Sequence, residues 1–450
     1  MSAELIGPDE FRRVAEAALD TKGVDGVEVL FMHEWGGLTR FASSAIHQST
    51  WREDTGLRVR VVSQGRVAVV AANGFSPEDA IKAAKSAHEM TQVVSPDPHF
   101  PGLAPHEPAA ERDGFDEATA RVTPEERAEA VASLIGRCEP GFEASGAYET
   151  TAVEVGLANS EGQFCWAPTS QASITTVITG GEGGNGFAEI FSKRSSELDP
   201  LAVGARAASK ARDSQNPRDL DAGTYEVVLE PAAVSTLVGF LGFIGFGGRM
   251  LLEGRSCFSG KEGQRVAAPS ITMVDDALAP DTIGTPFDFE GTPRRRVEMI
   301  KDGIFVGGVW DLRSAKQAER ESTGHALPAP NPEGPFPLNV KLEPGDSTLD
   351  QMISATERGL LVTRFHYSNV VHPVESTITG MTRDGTFLIE NGQLKHPVKN
   401  FRFTQSIIEA LLATSMVGRD TELASEFFFS ASRVPALKID RFQFTGRSDH

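Results

Sequence analysis

The chain reads as an α+β protein: an N-terminal α/β region of hairpins with flanking helices, then a C-terminal domain of mostly antiparallel sheets. Three observations point there. Alternating apolar runs at 57–62 and 66–71 meet across Ser63-Gln64-Gly65, the pattern of a hairpin. Strands and helices do not alternate in the order that βαβ winding needs. Five prolines between 94 and 113 (Pro96, Pro98, Pro101, Pro105, Pro108) mark a linker. The expected divisions are α+β subdomains at 1–93 and 114–218, joined by this linker, and an antiparallel-sheet domain at 219–450.

In chain order, a helix is predicted at 9–19, strands at 27–32 and 38–46, and then the hairpin. Ser76-Pro77-Glu78-Asp79 opens the next helix, with a capping serine, proline in the first turn and acids against the dipole. After the linker, Thr123-Pro124-Glu125-Glu126 caps a helix to Arg137. Strands at 152–157 and 163–166 flank Asn159-Ser160-Glu161-Gly162, a third follows at 172–178, and a helix at 200–212 closes the unit. The order α-β-β-β-α thus recurs, and the closing helices share the texture AIKAAKSA and GARAASKA. Duplication of one unit and a chance likeness of small-residue helices both explain this. Beyond 216–223, short strands are expected at 225–229, 270–274, 295–301, 305–310, 338–342 and 387–390, with helices at 349–357 and 405–416. Residues 319–337 form a long Gly/Pro loop, of the kind that is usually functional or mobile.

With 43 basic against 62 acidic residues and a net charge of −19, neither nucleic acid nor an anionic membrane suits the chain as main partner. Cys138, Cys165 and Cys257 lie far apart and make neither a disulfide framework nor a CxxC pair. The first residues are acidic and lack the apolar core of a signal peptide. The longest apolar stretch, 232–248, carries five glycines and falls short of the roughly 20 residues of a membrane span. A cytoplasmic protein with reduced thiols and no cofactor is expected.

Residues 225–248 read YEVVLEPAAVSTLVGFLGFIGFGG, a β-branched run that gives way to a glycine-rich apolar segment. Further blocks follow at 259–276 (SGKEGQRVAAPSITMVDD), 338–359 (LNVKLEPGDSTLDQMISATERG), 387–398 (FLIENGQLKHPV) and 415–420 (SMVGRD). In content and order these resemble the TldD/TldE (PmbA) family of zinc peptidases and their partners. In the catalytic branch of that family, the VVL run leads into HExxxH, two imidazole ligands and a glutamate that activates the zinc-bound water. Aligned through Val227-Val228-Leu229, the first His position falls on Gly239, the Glu on Phe240 and the second His on Ile244. None of these can bind zinc or move a proton. The family's cysteine ligand is also missing from 426–434 (EFFFSASRV). The resemblance is therefore to the TldE side. It implies a non-catalytic subunit that assembles with a catalytic TldD-like subunit as a heterodimer, or as a homodimer, and handles small unfolded peptides. A self-associating binding or regulatory protein on the same fold is the alternative. TGMTRDGT at 379–386 departs from the family pattern and leaves room for a separate activity using His366, Tyr367 and Arg383.

The remaining candidates have bland explanations. His366 and His372, six apart in a strand, would share a face about 20 Å from one another, too far to share a metal. His325 reads as a polar loop contact and Asp275-Asp276 as capping acids. GGEGGNG at 180–186 lacks the P-loop pattern and reads as a turn. Arg294-Arg295-Arg296 reads as a solvated edge, with Arg294 and Arg296 on one face. Gly239, Gly242 and Gly245 imply close backbone approach, with Phe240, Phe243 and Phe246 filling core.

Overall fold

The computed structural model describes residues 4–181, 183–424 and 431–447. Its first half follows the capping signals. The elements are α1 (Pro8–Leu19), β1 (Gly26–Ala42), β2 (Ala45–Ser63), β3 (Arg66–Ala72), α2 (Pro77–Thr91), α3 (Glu117–Ala120), α4 (Pro124–Ile135), β4 (Phe142–Asn159), β5 (Phe164–Gly180), β6 (Gly184–Ser192) and α5 (Pro200–Asp213). Ser76 Oγ accepts the amide of Asp79, and Thr123 with Glu126 completes a reciprocal capping box. The strand expected at 38–46 is instead broken by a turn at Ser43-Ser44, both at positive φ. The segments expected at 163–166 and 172–178 are one strand, β5, long enough to pair with β4 along its whole length.

The six strands form one antiparallel sheet in the order β3-β2-β1-β4-β5-β6. Read outward from the β1–β4 pair, each side repeats the same succession. Each side also carries a helix before its first strand and another after its last, which favours duplication over chance likeness. Alternation along β1 sends Val27, Val29 and Phe31 toward α1 and α2, while Phe41 meets α4 and α5. All four helices thus cover one face. On the other face Leu30, Val155 and Leu157 pack against Phe287 of the second half.

The second half comprises β7 (Gly223–Leu229), α6 (Pro231–Gly245), α7 (Gly248–Leu252), β8 (Met273–Asp275), β9 (Val297–Lys301), β10 (Ile304–Phe305), α8 (Leu312–Gln317), β11 (Val340–Leu342), α9 (Leu349–Ser354), β12 (Arg358–His372), β13 (Thr377–Glu390), β14 (Gln393–Pro397), β15 (Phe401–Ser406), α10 (Ile407–Leu412), β16 (Thr414–Ala424) and β17 (Ser432–Arg447). An eleven-stranded sheet results, mostly antiparallel. Within it β7 pairs with β12 on one side and β17 on the other, so that β7, β12, β13, β15 and β17 close a ring. The helix expected at 405–416 shrinks to α10, because Phe401 and Phe403 alternate into the core as strand β15 and Thr414 already begins β16. The strand expected at 305–310 ends at Phe305, and the helix expected at 349–357 ends at Ser354.

The halves meet at a buried charged cluster. Arg60 of β2 lies 3.4 Å from Glu28 of β1 and 3.7 Å from Glu290, with Asp288 and Asp311 nearby. Glu28 Oε2 has no hydrogen-bond partner. Burial pushes the Glu28 carboxyl up to about 7 and that of Glu290 up to about 8, against the pull of Arg60. Both then hold protons in the fold at pH values where the unfolded chain, titrating near ~4.3, has lost them. The stabilisation these two carboxyls provide is therefore lost as pH rises from about 4.5 to 8. Glu28→Gln should stabilise the protein by about 1 kcal/mol or more at pH 8.5 and flatten the pH dependence of its melting temperature. Thermal denaturation followed by circular dichroism at pH 6.0, 7.0 and 8.5 measures this; an unchanged slope in the variant would contradict it.

Candidate functional site

Helix α6 starts where β7 stops: Glu230 occupies the N-cap and Pro231 the first turn. The helix is apolar nearly all round and accordingly buried, packed on β12 and β17. One strip, though itself mostly buried, borders a cavity. Ala232, Thr236 and Phe240, spaced by four, line a cavity of about 530 Å³. Phe187 and Glu189 of β6 form the facing wall, and Arg364, His366 and Tyr367 of β12 close one end. Cavities of about 400 and 300 Å³ adjoin it: Glu189 lines all three, and the two smaller ones also share Arg206 and Glu422. Together they trace a cleft along β6, which stands at the edge of the six-stranded sheet.

The β12 end is irregular. Tyr367 has φ 50°, a left-handed conformation unusual for an aromatic residue, and the register with β13 shifts between His366 and Asn369. Tyr367 is 76% exposed, its ring 4.4 Å from that of His366, and Ser368 Oγ is buried without a hydrogen-bond partner. Such strain collects at binding sites because the surroundings must hold it in place. Arg364 Nε donates to Asp384 Oδ2 at 2.7 Å while its guanidinium lies 4.4 Å over the Phe187 ring. Arg383 stands 3.7 Å from the other Asp384 oxygen. Burial, then the charges of Arg364 and Arg383, hold the His366 imidazole below the usual histidine range, with Asp384 opposing them.

The structure thus brings His366 and Tyr367 into the cleft, with Arg383 behind them through Asp384. His372 is exposed at the far end of β12, opposite Thr377, and takes no part in the lining. Phe240 lines the cavity, a Cβ at Gly239 would meet nothing within 4 Å, and Ile244 lies in the core. These side chains offer no metal donor. Among the described residues, no group of three His, Cys, Asp or Glu side chains is placed to hold a metal ion. The family's cysteine position falls in 426–434, of which 426–430 lie outside the described residues.

Close approach explains one helical glycine of the three: a Cβ at Gly245 would come within 2.8 Å of Phe258, whereas Gly239 and Gly242 have room. Phe243 is 37% exposed, so the aromatic stripe fills the core at Phe240 and Phe246 alone. His325 is fully buried, bonded to Asp275 at 2.9 Å and to Thr323, which pins the Gly/Pro loop to β8. Phe187, Glu189, Arg206 and Glu422 escape a reading of the sequence. They come from β6, α5 and β16, and no local motif links them.

The sheet-and-ring scaffold defines the class of protein. Models of three PmbA/TldA metallopeptidase domains match in succession: domain 1 at 27–91, the central domain at 112–215 and the C-terminal domain at 222–446. The chain belongs to the PmbA/TldD metallopeptidase family. It is 25% identical to metalloprotease PmbA of Escherichia coli O157:H7 over 95% of this chain and 96% of that one. It is 29% identical to a metalloprotease TldD homolog of Haemophilus influenzae over 42% of each. Its fold matches the crystal structure of TldE from Thermococcus kodakarensis with a TM-score of 0.88, at 22% identity, over 97% of this chain and all of that one.

The arginines beside His366 give a direct test. Replacing Arg383 with Gln should raise the His366 pKa toward the usual value, which an NMR titration of the ring protons reads. An unchanged or lowered value would show that Arg383 does not act on His366.

Proposed function

We propose that this chain is the non-catalytic, TldE-like subunit of a two-subunit metallopeptidase that degrades or processes small unfolded peptides. The observation that carries the reading is the residue content of α6. At the ligand and base positions stand Gly239, Phe240 and Ile244, on a helix that still forms the wall of a cleft. In a catalytic partner, zinc would polarise the peptide carbonyl and supply activated water. This chain would contribute cleft walls. An extended peptide along the β6 edge would make main-chain hydrogen bonds, which give affinity with little sequence preference. His366 and Tyr367 are the proposed peptide contacts, with Arg383 acting on them from behind through Asp384. No helix among the described residues is long and apolar enough to cross a membrane.

Self-association without peptidase activity is the second reading. Tyr367, Val371 and Val374 are exposed together along the β12–β13 hairpin, and a patch of that kind favours a subunit interface. Both readings predict a dimer: light scattering at micromolar concentration should return about twice the 48.3 kDa of one chain. They part on the partner. Elemental analysis of the isolated chain should find no stoichiometric zinc, and casein should stay intact until an HExxxH-bearing subunit is added. About one zinc per chain retained through dialysis against a weak chelator, or casein cleavage by the isolated chain, would overturn the non-catalytic assignment.

A further inference from the structure

A second cavity, of about 390 Å³, lies between the helix-free face of the six-stranded sheet and the C-terminal half, apart from the α6 cleft. Thr151 and Val153 of β4 form part of its sheet wall; Gly284, Phe289, Arg294 and Asn339 form part of the other. The sequence pattern placed Arg294 on a solvated strand edge. Instead it precedes β9 and is 4% exposed, while Arg295 and Arg296 remain outside and pair with Glu321 and with Glu298 and Glu343.

Arg294 is short of partners. Its Nε donates to the Phe287 carbonyl at 3.4 Å, its Nη1 is buried with no hydrogen-bond partner, and it forms no ion pair among the described residues. The neighbouring carboxylates are engaged elsewhere. Asp275 accepts from His325 and from the Asn339 amide, and Asp288 accepts three backbone amides, of Glu290, Thr292 and Ala326. Asn339 is 2% exposed. Its Nδ2 donates to the Ile283 carbonyl, which can only accept, so the side-chain orientation is fixed and Oδ1, also buried, is left without a donor. A Cβ at Gly284 would come within 2.7 Å of both amide heteroatoms, so glycine there keeps room for Asn339. A buried guanidinium and a buried amide oxygen each cost free energy until a partner arrives.

Arg294 and Asn339 both line this cavity, and between them they leave one cationic donor and one neutral acceptor unused. A carboxylate with a neighbouring N–H satisfies both: it accepts from Arg294, in the planar geometry guanidinium prefers, and donates to Asn339 Oδ1. Glu34, on the sheet wall, is paired with Arg52, and Glu149 is exposed; the buried Asp275 and Asp288 attract Arg294 without forming an ion pair with it. We propose that this cavity is a binding site for an N-acylated α-amino carboxylate, of which the free C-terminus of a peptide is the source that fits a 390 Å³ space. The assignment stands on Arg294 and Asn339 and does not depend on the role given to the α6 cleft.

Isothermal calorimetry on the full chain with tri-alanine, its C-terminal amide and N-acetylalanine tests this. Tri-alanine should bind once per chain, and the amide about tenfold or more weaker. N-acetylalanine binding as tightly as tri-alanine would assign a small free acid as the source; weaker binding would assign a peptide terminus. Arg294→Met should abolish binding; because it also takes the cation away from the buried Asp275 and Asp288, its melting temperature should fall. Should that variant not fold, Thr151→Trp fills the cavity from the sheet wall without touching Arg294 and should also abolish binding. Equal binding of acid and amide, no saturable binding of the acid, or binding that survives Thr151→Trp would overturn the proposal.

Discussion

Strand β7 hydrogen-bonds to β12 through Leu360 to Val362 and to β17 through Leu437 and Ile439. Because only Glu230 separates β7 from α6, this double pairing fixes where the helix begins and how its faces are turned. Everything about the cleft follows from that constraint. The ring of strands leaves α6 one way to bury its apolar surface, against β12 and β17. The strip left over, Ala232, Thr236 and Phe240, faces the edge strand β6. A helix in this position can carry chemistry or simply form a wall, and the residues on the strip decide which.

The energetics favour a wall. An interior helical glycine costs about 1 kcal/mol relative to alanine, and α6 carries Gly239 and Gly242 without a close neighbour that requires them. Full burial of residues such as Val234, Leu237, Val238 and Leu241 is worth roughly 1.5–3 kcal/mol each, which outweighs that cost several times over. The helix tolerates weak formers because packing, not propensity, holds it.

Much of this was legible in the sequence, for identifiable reasons. Caps at Ser76 and Thr123, and the Ser63-Gln64-Gly65 turn, are local signals written in adjacent residues, and they place α2, α4 and the β2–β3 hairpin. The family resemblance rested on ordered blocks and led directly to α6. The long strands β12, β16 and β17 carry little local signal, since their partners are distant and their burial is uneven along their length. Arg294 departs from its sequence pattern for a related reason: three successive arginines look solvated, and only tertiary packing buries the first. Of the cleft, His366 and Tyr367 could be picked out as residues with chemistry, whereas Glu189 and Arg206 carry no local mark. Their meeting depends on β6 and α5 docking against the C-terminal ring.

The account turns on whether the α6 cleft of this chain takes part in peptide handling once a catalytic partner is present. Reconstitution with an HExxxH-bearing subunit, followed by the rate of casein cleavage, measures it most directly when the wild-type chain is compared with Ala232→Trp, which narrows the cleft from the helix side. Assembly that survives the substitution with cleavage reduced about tenfold or more is the predicted result. Cleavage at the wild-type rate by an equally assembled variant complex would contradict the account.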